Sequence, residues 1–285
     1  MEENEKLKEG FYRLNIRPPA ECTTLLYYGA SGAGKTAFAG SAGSETLFIN
    51  IGDGIETLLS PWFKQVYGYN PIVRDVNERL GARGMPIEAS AFDATSDVLD
   101  EALNDFPDKF KTIVIDDVTS LRRFAMNKGL EINSKLGRSK SLENVSKKFD
   151  VTIPAVQDYG IEMNLIEQFI AAYTSLAKRA NKHLIITAHQ RITYRKGDKI
   201  GDVPTMAKVS PGFTGQTFPD QVPAYFDNVW HAEVVAGGRT GSVYRCRTVG
   251  DDVIVAKSRN GGVFSAVETN PNFTEMINRI QNWRK

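Results

Sequence analysis

Eight consecutive residues, Gly29-Ala30-Ser31-Gly32-Ala33-Gly34-Lys35-Thr36, have the composition and spacing of a phosphate cradle. Glycines at 29, 32 and 34 admit backbone conformations closed to other residues, so successive N–H groups can turn inward around an anion. Lys35 supplies positive charge toward the β- and γ-phosphates of a nucleotide, and the Thr36 hydroxyl is the matching Mg2+ ligand. The helix that opens there, with Ala37 in its first turn, points its positive dipole end at the same anion.

Farther along, Thr112-Ile-Val-Ile-Asp116-Asp117 is an apolar run closed by two carboxylates. A strand of this kind delivers Asp116 to the C-terminal edge of a sheet, where it can hold the ion through water. Hydrolysis also needs a carboxylate that orients or deprotonates the attacking water. Asp53 and Asp117 are the two candidates, with Glu56 a weaker third, and the residue types do not separate them. A Gly-Asp-Gly turn would explain Asp53 equally well, and a helix cap would explain Asp117.

The elements that must position these groups follow from pattern. Thr23 to Tyr28 and Thr46 to Ile51 read as strands on either side of a short helix from Lys35 that ends near Gly40 and Gly43. Residues 60–95 are broken by Pro61, Pro71 and Pro86, with at most a short strand near Ile87. Thr95 is a plausible cap for a helix to about Phe106. Thr112 to Ile115 suits a strand buried on both faces, and a helix follows Asp117. Ile161 to Ala180 has helical spacing, and His183 to Ala188 is another buried strand.

Residues 190–223 read as one long loop rich in glycine, proline and charge. Asn228 to Val235, Ser242 to Val249 and Val253 to Ala256 then have the pattern of successive strands, before a last helix from Phe273 to Trp283. Strands alternating with helices predict an α/β fold with a mainly parallel sheet, helices on both faces, and antiparallel strands added at the C-terminal end. The organisation expected is a polar leader over 1–20 and a single domain over 21–285.

Bulk properties restrict the field. The chain has 285 residues, 41% hydrophobic and 24% charged, ordinary for a globular protein with a substantial core. A net charge of +1 names no partner, so any nucleic-acid affinity must be local. Two distant cysteines, Cys22 and Cys246, give neither metal spacing nor a disulfide scaffold. No signal-type or membrane-length apolar run is present, which predicts a soluble cytoplasmic protein.

Together the pattern resembles RecA-like P-loop ATPases, and most closely the phage-encoded RecA/RadA-like proteins of single-strand annealing and recombination. The resemblance spans about residues 20–265. Beyond the phosphate loop and Thr112–Asp117, it is carried by Leu184-Ile-Ile-Thr-Ala-His189-Gln190-Arg191 and by Ala256-Lys257-Ser258-Arg259-Asn260-Gly261. The first of these implies that Gln190, or its neighbour His189, senses the γ-phosphate ahead of a DNA-binding loop. The other resembles the Lys-x-Arg segment whose cations reach a neighbouring subunit's nucleotide, a role that would fall to Lys257 and Arg259. Ile51-Gly52-Asp53 departs from the Ala-Glu usual in RecA itself, which leaves the base unassigned.

The resemblance further implies ATP with Mg2+, a homo-oligomeric ring or filament with ATP between subunits, and single-stranded DNA as partner. Two stretches lie where DNA loops would fall. Residues 122–148 hold eight Lys or Arg against Glu131 and Glu143, and residues 191–218 hold five with Tyr194, Phe213 and Phe218. Basic, glycine-rich loops with aromatics suit sequence-independent binding of single strands. The competing readings are a hexameric helicase or packaging motor, a non-catalytic nucleotide-dependent assembly protein, and a small-molecule kinase.

Overall fold

The computed structural model describes residues 21–52, 54–81, 86–135, 154, 156–195, 205–237 and 241–283. Its frame is one ten-stranded sheet. Six strands run parallel, in the spatial order β7 (Asn228–Ala236), β1 (Thr24–Gly29), β5 (His183–Arg195), β4 (Thr112–Asp116), β2 (Thr46–Ile51) and β3 (Ile72–Val76). On the β7 side, β8 (Ser242–Arg247) and β10 (Val267–Thr269) extend the sheet antiparallel, and β9 (Lys257–Ser258) pairs with β7. Beyond the sheet edge β5 continues as a ribbon with β6 (Thr205–Pro211).

Period-2 alternation along the buried strands separates two cores. Leu26, Ile49, Ile113, Ile115, Leu184, Ile186 and Val229 point to one face. There they meet α4 (Ala91–Asp100), α5 (Val118–Lys135) and α6 (Val156–Arg179). Leu25, Phe48, Val114, Ile185 and Trp230 point to the other. That face is covered by α1 (Lys35–Gly40), α2 (Glu56–Leu59), α3 (Pro61–Tyr67) and α8 (Phe273–Trp283). The expected parallel sheet with helices on both faces and antiparallel C-terminal strands is therefore the observed one.

Several elements differ from expectation. Residues 60–95 contain α3 and β3, and Ile87 lies in no strand. Pro61 starts a helix instead of breaking one, because Ser60 caps it by accepting from the Phe63 N–H at 3.2 Å. Thr95 lies inside α4, its hydroxyl bonded to the Ala91 carbonyl at 2.8 Å. The stretch 190–223 is no plain loop: it carries the end of β5, all of β6 and α7 (Phe218–Gln221). Val253 to Ala256 forms no strand, although Ile254 makes an isolated bridge to Val209. Finally β7, expected in an antiparallel meander, lies parallel beside β1. The expected leader, residues 1–20, is outside the described residues.

Candidate nucleotide site

The topology separates the two halves of the site. Strand β5 stands between β1, which carries the glycine loop, and β4, which carries Asp116. Two inter-strand spacings, roughly 10 Å, separate the two ends. Helix α1 bridges the gap: Thr36 Oγ1, in its first turn, donates to Asp116 Oδ2 at 2.8 Å. Strand parity makes this possible, because Asp116 follows Val114 by two residues and so emerges on the face that α1 covers.

The same parity governs β5. Thr187 and His189 follow Ile185 at steps of two and share its face. The Thr187 hydroxyl donates to Asp116 Oδ1, and His189 Nε2 lies 3.2 Å from Asp117 Oδ2. Gln190 leaves on the opposite face, where its Oε1 is 2.9 Å from Nε2 of buried His231. Of the two sensor candidates, only His189 is brought to the phosphate end. Thr187 lies within the Leu184–Arg191 segment, but the sequence assigns it no role, and its one signal there is a hydroxyl inside an otherwise apolar strand.

At the loop, Gly29 and Gly34 are required by contact. A Cβ on Gly29 would lie 2.4 Å from the Ala232 carbonyl oxygen. Gly34 has φ +80°, and a Cβ there would lie 2.8 Å from Cδ1 of Tyr244. Lys35 is 8% exposed, with its ammonium donating to the Gly29 and Ala30 carbonyls at 3.2 and 2.8 Å. Ser31, Gly32, Ala33, Gly34, Thr36 and Ala37 line a cavity of about 1130 Å³ together with Asp116, Asp117 and His189.

The electrostatics are those of a site built for both an anion and a cation. Burial pushes the Asp116 carboxyl up, against hydrogen bonds from Thr187 and Thr36, and neighbouring Asp117 pushes the same way. Burial draws the Lys35 ammonium down, against the pull of Asp116 and Asp117. A divalent cation with oxygen ligands at Thr36 and Asp116 and a polyanion at Lys35 would relieve both penalties. The donor set therefore fits a magnesium nucleotide.

Among the water-activating candidates, Asp117 is at the site. One of its oxygens accepts from the Ser120 N–H at 2.7 Å, capping α5, and the other faces His189. Cap and site residue are thus the same side chain. Glu56 is exposed in the first turn of α2 and does not line the cavity. Asp53 lies outside the described residues.

Lys257 and Arg259 lie away from this cavity. They sit beside Val229 and Asp227 at the start of β7, whereas Gly29 pairs with Ala232 farther along that strand. Arg259 pairs with Asp227 at 2.9 Å, and Lys178 pairs with the same oxygen at 2.7 Å. Burial, then the Arg259 charge, draws the Lys257 ammonium down.

The basic stretches are partly absorbed by the fold. Arg122 donates to buried Glu162 at 2.7 Å, to the Gly212 carbonyl at 2.7 Å and to the Thr214 hydroxyl. Lys128 pairs with Asp93 and Glu131. Lys208 pairs with Asp220, and Arg191 donates to the Gly215 carbonyl. Phe213 and Phe218 are buried and packed on each other at 5.4 Å, so neither can stack on a nucleic-acid base. Tyr194 is exposed on the β5–β6 ribbon, with Arg195 beside it. Residues 136–153 and 196–204 lie outside the described residues.

A family model described as an AAA domain matches residues 22–260, most of the chain. No curated protein matches it. Among the described residues, no helix is long and apolar enough to cross a membrane.

Proposed function

The chain belongs to this AAA-domain family of nucleotide-binding P-loop ATPases, and from that premise we propose that it hydrolyses ATP with magnesium while acting on single-stranded DNA in recombination or annealing. One observation carries the reading. Lys35, Thr36, Asp116, Asp117, Thr187 and His189, drawn from α1, β4, β5 and the cap of α5, converge at the C-terminal edge of the parallel sheet, the edge at which open α/β sheets bind ligands.

In this reading Lys35 neutralises the β- and γ-phosphates, and the loop amides orient them. Thr36 and Asp116 would hold Mg2+, which supplies charge neutralisation to the phosphate oxygens when bound. Thr187 fixes the Asp116 carboxylate from the far side. Asp117, turned by its capping bond toward His189, positions the attacking water or takes its proton, and His189 sits where the terminal phosphate would reach.

Lys35 is the only Lys or Arg lining the cavity among the described residues, which is sparse compensation for a triphosphate. Lys257 and Arg259 do not line the cavity. In this reading each serves a neighbouring copy in a ring or filament, as the RecA/RadA likeness implies. The DNA reading draws support from Tyr194 and Arg195 on the ribbon, where stacking and phosphate neutralisation can combine.

The test is ATP turnover with and without single-stranded DNA, in wild type and Arg259→Ala, and in mixtures of Arg259→Ala with Lys35→Ala. Stimulation by DNA, loss in each variant alone and partial rescue on mixing are expected. Turnover indifferent to DNA, with Arg259→Ala as active as wild type, would remove both the DNA and the trans-finger parts and leave a nucleotide-dependent assembly protein.

A further inference from the structure

The cavity extends well past the phosphate machinery, and its far end has a different chemistry. From the Asp116 end it runs over α1 to a cleft between α3 and the segment leading into α8. Trp62 and Tyr67 of α3 form one wall. Their rings meet edge-on, with centroids 6.2 Å apart at 88°. Fully buried Phe63, 4.6 Å from Tyr67, anchors them to the core. Trp62 is nevertheless 52% exposed, an aromatic surface left open at the lip of a cleft.

Tyr244 also lines the cavity, its ring edge against Gly34 of the phosphate loop. A polar rim closes the cleft. Asn270 donates its backbone N–H to the Tyr244 carbonyl at 2.7 Å, which fixes the two relative to each other. Its φ of 46° is a left-handed conformation, and its carboxamide makes no hydrogen bond with another described residue. Glu275, exposed on the first turn of α8, also lines the rim. Burial raises the Tyr67 hydroxyl, with Tyr69 and Glu275 adding to it, so that Tyr67 stays a neutral donor.

Aromatic side chains in the same cavity as the phosphate loop, with a few polar groups beside them, are what a flat heterocycle requires. We propose that this cleft is a nucleobase pocket that reads adenine, with Trp62 and Tyr244 as its walls and Asn270 and Glu275 facing the exocyclic amine. Adenine presents an amine donor beside a ring-nitrogen acceptor, and a carboxamide answers both at once. The Glu275 carboxylate accepts the second amine hydrogen. Guanine places a carbonyl oxygen at that position, and two acceptors then face each other. The proposal rests on the nucleotide reading above.

Calorimetry with magnesium present separates the base pocket from the phosphate site. Two ligands are titrated into wild type, the β,γ-imido analogue of ATP and inorganic tripolyphosphate, which lacks a base. The analogue should bind wild type at least about tenfold tighter, the yield of one good stacking contact. Trp62→Ala and Asn270→Gly should each remove about that factor for the analogue and leave tripolyphosphate unchanged. Glycine accepts the φ of position 270, so a loss there reports the carboxamide and not the backbone. Asn270→Gly should also narrow the preference over the guanosine analogue. Variants that bind the adenosine analogue as wild type does, or an analogue no tighter than tripolyphosphate, would overturn the base pocket alone. Failure of both ligands to bind wild type would overturn the phosphate-site reading beneath it.

Discussion

Along β5, consecutive side chains leave the sheet on opposite faces, so one residue of register decides which group can meet a terminal phosphate. His189 shares the α1 face with Ile185 and Thr187, and Gln190 shares the other with Ala188. His189→Ala should therefore lower kcat about a hundredfold with KM little changed, as for loss of a group acting on the terminal phosphate in the transition state. Gln190→Ala should stay within about threefold of wild type, since its side chain bonds to His231 on the face away from the phosphate end. Steady-state kinetics decide it, and a reversed order would contradict the parity assignment. The eight residues of the phosphate loop were legible because their chemistry is backbone geometry, written directly as glycine. The choice between His189 and Gln190 was not, because it depends on which neighbours Ile185 faces.

At the scale of elements, continuous apolar runs between turn residues announced β1, β2 and β4, and their observed bounds, like those of α8, lie within a residue or so of expectation. Elements with mixed exposure were harder to see. Strand β3 is an edge strand whose side chains are mostly exposed, and β6 gains its partner only through β5. Basic residues illustrate the same limit, since charge along a sequence does not say whether a cation faces water. Arg122 reads in sequence as part of a nucleic-acid surface, yet it ties α5 to α6 and to the residues after β6 through Glu162, Gly212 and Thr214. Removing it would leave Glu162, which is 2% exposed, a buried carboxylate without its counter-ion and with only the Thr214 hydroxyl as partner. Arg122→Ala should cost about 3–5 kcal/mol in urea unfolding, and Arg122→Ala with Glu162→Leu should recover part of it. A loss below about 1 kcal/mol would mean that the carboxylate finds other partners.

For the molecule as a whole, the strand order is the decisive property and the one least visible in sequence. Placing β5 between β1 and β4 lets three strand ends, rather than two, contribute side chains beneath α1. Patterns of hydrophobicity give strands but not their neighbours, so the parallel place of β7 beside β1 had no signal either. In the function proposed above, the cavity at this sheet edge hydrolyses ATP with magnesium. Phosphate release from ATP by wild type and Lys35→Ala, each with and without Mg2+, tests it most directly, with circular dichroism confirming an intact fold. Turnover that requires Mg2+ and falls by about 10²–10³ in Lys35→Ala is predicted. Lys35→Ala hydrolysing ATP at the wild-type rate, or wild type doing so without the metal, would contradict it.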